Sequence, residues 1–339
     1  MRKILTVLMV MVLSAVLFAC GGGGSTNDEG GGTNEGESSG ETITLRLAEN
    51  QPDDYPTTIG DLEFARLVEE KTDGRYKIEV YAGGQLGDEK SVIEQVQLGS
   101  IDLARVNVSP MTQFSDEIGV LSMPFLFEDE EEKWEKLNGE VGRELLDTLD
   151  GSNIVGLAYY DSGERYFYNS VRPVTKPEDM KGLKIRVQQS ELAIDTVEAL
   201  GASATPMEYG EVYSSIQTGV IDGAENNMPS YYTSNHYEVA KYLTTNGYTG
   251  TPEVVIMSQS VWDTLSDEDK ELFREAALES VEVQRQAWAD LTKESEEIVL
   301  EAGSEFSEVD DIKAWREAVQ PVYDKYGEEY SEWIDKLTE

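Results

Sequence analysis

The stretch from Ser266 to Ala302 constrains the fold most, because it contains neither glycine nor proline. Ser266 is a residue type that caps helix N-termini, and the three acidic residues after it suit the positive end of the helix dipole. Gly303 follows directly and is a typical helix stop. At about 1.5 Å per residue, a helix of this length outreaches one small domain. The sequence therefore predicts one helix longer than a small domain, with a break near Thr292 into two helices as the alternative.

The rest of the chain indicates an α/β fold in two domains. A length of 339 residues favours two domains, and an apolar content of 39% is enough for sizeable cores. Strand-like and helix-like segments alternate, which is typical of α/β proteins. Thr57 or Thr58 is expected to cap the first helix. The predicted strands lie at 43–47, 76–81, 154–160, 184–187 and 254–258.

Two arginines stand out in a chain whose formal net charge is −40. Such a charge argues against a nucleic-acid partner, because nucleic-acid binders need basic patches. Arg165 and Arg186 each fall beside a strand-like run, and an arginine held near a protein interior needs an anion. The planar fork of arginine matches a carboxylate. The sequence therefore predicts a pocket for a small organic acid, with salt bridges that stabilise the domains as the alternative.

The N-terminal segment predicts export. Arg2 and Lys3 precede a nearly continuous apolar run at 4–19, which is shorter than the about 20 residues of a membrane span and indicates a signal peptide at 1–19. The segment Leu17-Phe18-Ala19-Cys20 resembles a bacterial lipoprotein cleavage box. This resemblance implies cleavage before Cys20 and lipidation of its sulfur. An incidental cysteine after an ordinary signal peptide is the alternative.

Residues 20–40 are expected to form a lipidated tether. Small and polar residues fill the segment after Cys20, and such a composition favours disorder. Cys20 is the only cysteine, so we expect no disulfide bonds. The expected location is the outer face of the cell membrane, where the protein is held by its lipid.

Motifs for catalysis, cofactors and metals are mostly missing. The glycine-rich segment at 83–87 lacks the residues of a phosphate-binding loop and of a dinucleotide fingerprint, so we interpret it as a turn between a strand and a helix. His236 is the only histidine, and a hydrogen-bonded structural role is favoured for it. Among 67 acidic residues, no pair of carboxylates is informative. We therefore predict a protein that is not an enzyme and holds no cofactor and no metal ion.

A series of short motifs appears in order along the folded part. It includes Gly84-Gln85-Leu86-Gly87, Pro124-Phe125-Leu126-Phe127, Gly163-Glu164-Arg165, the block from Pro177 to Val187 and the block from Gln217 to Asn226. Together these motifs resemble the extracytoplasmic solute receptors of tripartite ATP-independent periplasmic (TRAP) transporters, of the dicarboxylate-receptor (DctP-like) type. The resemblance covers about residues 42–335.

This resemblance implies a two-lobe α/β fold of the periplasmic-binding-protein kind. The lobes close on a hinge around the ligand, and the long helix spans both. The first lobe is expected to comprise residues 41–163 and 252–290. The second lobe is expected to comprise residues 164–251 and 291–339.

The resemblance also assigns a carboxylate clamp. It implies that Arg186 binds the ligand carboxylate and that Arg165 is a second contact. It implies that Asn226 orients the same carboxylate. All three lie in the motif blocks quoted above.

Five further residues match ligand-facing positions of the same family. On the lobe opposite the arginines, the candidates for contacts to the polar body of the ligand are Asn50, Glu89 and Asn107. Capping of local structure is the alternative role for Glu89 and Asn107. Tyr209 is the candidate for an aromatic wall, and Gln189 is a supporting candidate beside the Arg186 strand.

The predicted function is capture of a small organic acid and its delivery to TRAP permease subunits in the membrane. The stretch after Asn226, with Tyr231 and Tyr232, is most similar to receptors for sugar acids such as glucuronate or galacturonate. We therefore expect a hexuronate ligand, with a C4-dicarboxylate or another carboxylate second. An enzyme acting on uronosides and a surface adhesion lipoprotein are the alternatives from other classes.

Overall fold

Two mixed β-sheets surrounded by helices make up the computed structural model, which describes residues 42–128 and 130–338. The strands are β1 (Ile43–Ala48), β2 (Tyr76–Tyr81), β3 (Leu103–Asn107), β4 (Ile154–Tyr160), β5 (Arg165–Asn169), β6 (Lys184–Val187), β7 (Ser203–Pro206), β8 (Gly223–Asn226), β9 (Tyr242–Thr249), β10 (Glu253–Ser258) and β11 (Glu305–Ser307).

The α-helices differ widely in length. They are α1 (Pro56–Lys71), α2 (Glu89–Gln97), α3 (Val108–Met111), α4 (Glu130–Asn138), α5 (Glu140–Asp147), α6 (Glu191–Ala199), α7 (Val212–Gln217), α8 (Met228–Thr233), α9 (His236–Val239), α10 (Gln259–Trp262), α11 (Asp267–Glu301), α12 (Ile312–Ala318), α13 (Gln320–Tyr326) and α14 (Ser331–Thr338). Short 3₁₀ turns cover Glu117–Ser122, Thr148–Ser152, Pro177–Met180 and Tyr209–Glu211.

The predicted signal peptide, Cys20 and the tether at 20–40 lie outside the described residues. Within the described part, none of the helices combines the length and the apolar character that crossing a bilayer requires.

The chain passes between the two sheets more than once. The first sheet has the strand order β2-β1-β3-β10-β4 and the second has β11-β9-β5-β8-β6-β7. The chain leaves the first sheet between β4 and β5 and returns between β9 and β10. Strand β10 then inserts between β3 and β4, antiparallel to both. This arrangement confirms the predicted two-lobe α/β fold.

The long helix is continuous, as the absence of glycine and proline predicts. Ser266 is its N-cap, and the Ser266 hydroxyl accepts a hydrogen bond from the Asp269 backbone N–H at 3.1 Å. Gly303 follows its end with φ of +100°, a conformation that favours glycine. The predicted alternative of a break near Thr292 is wrong. Helix α11 packs against α1 and β4 beside the first sheet and against α8 beside the second, so it spans both.

The start of α1 differs from the prediction. Neither Thr57 nor Thr58 is the N-cap. The N-cap is Tyr55, and the helix begins at Pro56. Proline suits the first helical position, where its missing N–H leaves no bond unmade. The Thr57 hydroxyl instead donates a hydrogen bond to the buried carboxylate of Glu49 at 2.9 Å. The helix start is thereby tied to the polar cluster described below.

The strands of each sheet fall within the predicted lobe boundaries, while the C-terminal helix lies elsewhere. Helix α14 packs against the turn at Glu117–Ser122, and Lys336 pairs with Glu144 of α5 at 2.8 Å. Both contacts are with residues assigned to the first lobe, although α14 was assigned to the second. The boundaries themselves stay a prediction.

Three apolar clusters hold this fold together. One lies between the first sheet, α1 and α11 and includes Phe64 and Phe273, which are fully buried. A second packs on the second sheet around Tyr168. The third and largest includes Val106 of β3 and Ile185 of β6. Because this cluster takes side chains from both sheets, the described residues form one compact unit.

Candidate ligand-binding cleft

Two arginines converge because their strands flank the same neighbour. Arg165 begins β5 and Arg186 lies on β6, and β8 pairs with both strands. Glu225 of β8 sits between the two guanidinium groups. Arg165 binds it in a bidentate manner, through Nε to Oε2 and through Nη2 to Oε1 at 3.0 Å. Arg186 is farther away, with its Nη1 at 3.9 Å from Glu225 Oε1.

Arg186 keeps donors available for a ligand. Its Nε donates to the backbone carbonyl of Met207 at 3.0 Å, which fixes the plane of the fork. Among the described residues, no hydrogen bond leaves its Nη1 or Nη2. Arg186 is only 4% exposed, so bulk water does not solvate its charge. Glu225 Oε1, at 3.9 Å from Nη1, is beyond hydrogen-bond distance. Burial lowers the pKa of Arg186; the charge of Glu225 opposes this, and the charge of Arg165 adds to it.

The arginine side of the cleft carries an excess of positive charge. Arg165 and Arg186 share the one carboxylate of Glu225, whose Oε2 also accepts a hydrogen bond from the Tyr248 hydroxyl at 2.9 Å. All four side chains are buried. Two buried guanidinium groups with one carboxylate leave about one unit of charge uncompensated, and a bound anion would supply it.

The opposite side of the cleft carries the reverse charge. Arg105 of β3 is 2% exposed and lies among three carboxylates. It binds Glu49 through Nε at 2.8 Å and Glu253 through Nη1 at 2.7 Å. The same Nη1 lies 3.3 Å from Oε1 of Glu89. Three carboxylates around one guanidinium make this wall acidic.

A small cavity lies between the two walls. It measures about 30 Å³, and Glu89, Arg186, Gln189 and Tyr209 are among its lining residues. The two sides also touch directly, because the Tyr55 hydroxyl lies 2.7 Å from the Ser230 hydroxyl across the cleft. The cleft is therefore closed in this structure.

A larger groove of about 760 Å³ adjoins this cavity through Gln189, Met207 and Glu208. None of its lining residues is a lysine or an arginine, and several are acidic. An organic anion would meet only negative charge there. We therefore place the candidate ligand site at the smaller cavity, beside Arg186.

The predicted candidates on the arginine side come together. Asn226 follows Glu225 on β8, and its Oδ1 accepts a hydrogen bond from the Asn227 backbone N–H at 2.9 Å. Tyr209 lines the cavity, and its hydroxyl is hydrogen-bonded to Ser234. Gln189 lines both the cavity and the groove. Their contacts with a ligand stay predictions.

The candidates on the acidic side differ in which of their polar atoms remain without a hydrogen bond among the described residues. Asn50 accepts a hydrogen bond from Arg105 through Oδ1 at 2.5 Å, and no hydrogen bond leaves its Nδ2 within the described residues. Asn107 is fully engaged, because its Nδ2 donates to Glu253 at 2.9 Å and to the Thr251 carbonyl at 3.4 Å. Its Oδ1 caps α3. The capping alternative therefore describes Asn107 as it stands here, and its ligand contact stays a prediction.

His236 has the structural role that the sequence favours. It is buried, and its Nδ1 is hydrogen-bonded to the Tyr168 hydroxyl at 2.7 Å. Burial lowers the pKa of His236 to about 3, and the charge of Arg186 adds to this. The ring is therefore neutral at physiological pH and adds no positive charge to the cleft.

Sequence reasoning missed four charged residues of the site, namely Glu49, Arg105, Glu225 and Glu253. A signal for two of them was available. Arg105 lies within Leu-Ala-Arg-Val-Asn and Glu225 within Gly-Ala-Glu-Asn, so each interrupts a strand that is otherwise largely apolar. A charge inside a buried strand needs a partner. Glu49 and Glu253 gave no such signal in so acidic a chain.

Glu89 is one of the titratable residues that line the cavity. Burial raises the pKa of Glu89 to about 7, and the charge of Glu253 adds to this, while the Asn107 backbone N–H and the charges of Arg186 and Arg165 oppose it.

The raised pKa of Glu89 predicts a pH-dependent stability. Its ordinary value is 4.5, so the folded protein binds more protons than the unfolded chain between about pH 4.5 and 7. Stability is then lost as pH rises through that window. We expect the free energy of unfolding of the wild-type protein to fall by on the order of 1–3 kcal/mol relative to Glu89→Gln between about pH 5 and 7.5.

Urea denaturation at several pH values measures this difference. Glu94→Gln is the matched control, because Glu94 is exposed on the same helix, and it should keep the wild-type pH dependence. The same slope for Glu89→Gln and wild type would show that Glu89 titrates near its ordinary value.

The sequence of the chain matches known proteins over most of its length. The model of the family described as bacterial extracellular solute-binding protein, family 7 (DctP), matches residues 47–329. A solute-binding protein of Chromohalobacter salexigens is 39% identical over 288 residues, which are 85% of this chain and 86% of that protein.

Solved structures of similar proteins contain sugar acids. A TRAP periplasmic solute-binding protein from Bradyrhizobium sp. BTAi1, in complex with D-galacturonate, has a TM-score of 0.85 and 40% identity, covering 87% of this chain and 99% of that one. Another from Pseudomonas putida F1, with bound D-glucuronate, has a TM-score of 0.84 and 37% identity, covering 87% and 96%. The chain therefore belongs to family 7 of the bacterial extracellular solute-binding proteins, the DctP family.

Proposed function

We propose that this chain is the solute receptor of a TRAP transporter and that its solute is a hexuronate such as D-galacturonate or D-glucuronate. The observation that carries the proposal is the guanidinium group of Arg186, whose two amino groups make no hydrogen bond within the described residues. Buried with its two amino groups unbonded among the described residues, it offers the two parallel N–H donors that a carboxylate accepts.

The opposite charges of the two walls favour this class of solute. A hexuronate has one carboxylate and a ring of neutral hydroxyl groups. The carboxylate would lie on the arginine side, where Glu225 leaves positive charge uncompensated. The hydroxyl groups would face Glu89 and Asn50, because carboxylate and amide groups are good partners for hydroxyls. The solutes bound in the two structural neighbours have the same arrangement of groups.

The remaining candidates would complete the site in this pose. Arg165 and Asn226 would flank the solute carboxylate beside Arg186. Tyr209 would cover one face of the ring, and Gln189 would hold the adjoining loop. Asn107 would take part only after releasing Glu253 or Thr251.

A C4-dicarboxylate is the weaker candidate. Its second carboxylate would have to lie against the wall of Glu49, Glu89 and Glu253, which Arg105 alone does not neutralise. Two like charges about 4 Å apart repel each other by roughly 4 kcal/mol at the effective dielectric constant of a protein surface. The charge of the wall therefore favours a monocarboxylate.

Entry of the solute requires the cleft to open. The two connections at 161–164 and 250–252 and the helix α11 join the sheets, and we propose that they act as the hinge between lobes at 41–163 with 252–290 and at 164–251 with 291–339. Contacts such as Tyr55 to Ser230 would break in the open state. Solute bound to both walls would favour the closed state, which TRAP permease subunits would then recognise.

The location follows from the family and from the N-terminal segment. The family is extracytoplasmic, and we propose in addition that Cys20 carries a lipid that anchors the protein to the outer face of the membrane. The mass of the protein purified from its own membranes tests this addition. A chain that starts at an acylated Cys20 supports the anchor, and a chain without acyl groups contradicts it.

Titration calorimetry tests the proposed solute. D-galacturonate, D-glucuronate, D-gluconate, succinate and L-malate are titrated into the protein at neutral pH. Saturable binding of a hexuronate that is at least tenfold tighter than that of succinate or malate is the expected result. Tighter binding of the dicarboxylates would establish the alternative solute. No heat with any acid would favour an adhesion role, and turnover of an added uronoside would favour an enzyme.

A further inference from the structure

Arg105 has no donor left for a solute. Its five N–H groups meet Glu49, Glu89, Glu253 and Asn50, with distances of 2.8 Å from Nε to Glu49 Oε2, 2.7 Å from Nη1 to Glu253 Oε2 and 2.5 Å from Nη2 to Asn50 Oδ1. Arg105 is also 2% exposed. Its effect on a solute must therefore pass through these partners.

Of the partners of Arg105, Glu89 lines the cavity beside Arg186. The other bonds of this cluster hold Glu89 and its neighbours in place. Glu89 Oε1 accepts hydrogen bonds from Arg105 and from the Asn107 backbone N–H at 3.1 Å. Glu253 Oε1 accepts from the Asn107 side chain at 2.9 Å. Glu49 is held from the other direction by Thr57 at 2.9 Å.

These bonds set which atoms remain for the solute. Because Asn50 gives its Oδ1 to Arg105, its Nδ2 is the group left over. Because Glu89 gives its Oε1 to Arg105 and to the Asn107 backbone, its Oε2 is left over. Glu89 lines one cavity with Asn50 and another with Arg186. The acidic wall thus keeps one amide donor and one carboxylate oxygen that make no hydrogen bond within the described residues, and Glu89 connects the two cavities.

We propose that Arg105 is a specificity-determining positioning residue: it orients Asn50 and Glu89 toward the hydroxylated end of the solute and gathers the carboxylates that exclude a second acidic group. This inference rests on the proposed function, because it assumes a solute whose carboxylate lies on Arg186. It assigns the solute to a chemical class, the monocarboxylates with neutral hydroxyl groups at the distal end.

Replacing Arg105 with lysine tests the positioning role. Lysine keeps the charge but cannot reach four partners in one plane. Arg105→Lys should raise the Kd for D-galacturonate or D-glucuronate, whichever the wild-type protein binds more tightly, at least tenfold. The Kd for D-glycerate, a three-carbon hydroxy acid with fewer hydroxyl groups to place against the acidic wall, should change less than twofold. Arg66→Lys, at an exposed position of α1, is the matched control and should leave both values unchanged.

Replacing Glu89 with glutamine tests the exclusion of a second acidic group. This test can be made even if Arg105→Lys fails to fold. Glutamine keeps the shape of the side chain and removes its charge, and the comparison is made at about pH 8.5, where Glu89 with a pKa of about 7 is ionised. The ratio of the succinate Kd to the hexuronate Kd should fall at least fivefold in Glu89→Gln. Glu94→Gln should leave this ratio as in the wild type.

The outcomes separate this inference from the proposed function. Absence of hexuronate binding by the wild-type protein would refute the proposed function itself. If the wild type binds a hexuronate, equal changes for hexuronate and glycerate in Arg105→Lys would show a merely structural arginine and overturn the positioning role. An unchanged ratio of the succinate Kd to the hexuronate Kd in Glu89→Gln would overturn the exclusion of a second acidic group. The Glu89→Gln comparison decides alone if glycerate binding is too weak to measure.

Discussion

Arg186→Ala should weaken hexuronate binding by about 2–5 kcal/mol, which is roughly a 30-fold to several-thousandfold rise in Kd. The physical reason is the loss of one partner of a buried charged pair, since the solute carboxylate would enter the cleft without its fork. Among the described residues, the polar contacts of the side chain are a hydrogen bond to Met207 and an approach of 3.9 Å to Glu225. The fold should therefore tolerate its removal.

Titration calorimetry measures this effect, with Arg66→Ala as the control. Arg66 is exposed on α1 and pairs with Glu63 and Glu70 at the surface, so its removal should leave the Kd unchanged. Arg186→Lys should also bind poorly, because one ammonium group cannot reproduce two parallel donors. A loss of tenfold or less in Arg186→Ala would exclude the clamp role.

Glu225→Gln is expected to lower the free energy of unfolding by about 3–5 kcal/mol. The change leaves the guanidinium groups of Arg165 and Arg186 buried together without a carboxylate. It also weakens the bidentate pair with Arg165 and the hydrogen bond from Tyr248. Saturating hexuronate should restore part of the loss, because the solute carboxylate would supply the missing negative charge.

Chemical denaturation with and without hexuronate measures both effects. Glu238→Gln is the control on the same side of the molecule. Glu238 is exposed, and its carboxylate accepts a hydrogen bond from the Tyr213 hydroxyl. It should change stability by less than about 0.5 kcal/mol. A loss below about 1 kcal/mol in Glu225→Gln would mean that the two arginines are stable without a counter-ion, and the charge argument for an anionic solute would then fail.

Local rules were sufficient for much of the fold. The strands at 154–160 and 184–187 and the helix after Ser266 could be predicted because each depends on an apolar run or on a cap and a stop that are neighbours in sequence. The insertion of β10 between β3 and β4 could not be predicted in this way. It brings Glu253 beside Asn107, and the apolar pattern of a strand does not name its partners.

The site divides in a similar manner. Arg165 and Arg186 were predictable because each lies beside a strand-like run within a motif block. The strand around Glu225 signals a buried charge, but its partners could not be predicted, because they depend on β8 lying between β5 and β6. The same holds for Arg105, whose partners Glu49 and Glu253 come from separate strands. Asn107 illustrates the limit of motif matching, since its side chain is engaged by Glu253 and the start of α3.

The position of the solute carboxylate in a crystal structure with D-galacturonate or D-glucuronate is the most direct test. We expect both carboxylate oxygens to accept hydrogen bonds from Arg186 at about 2.7–2.9 Å, with the ring hydroxyl groups toward Glu89 and Asn50. A solute bound elsewhere, or one whose hydroxyl groups rather than its carboxylate contact Arg186, would contradict the assignment of this cleft as a carboxylate receptor site.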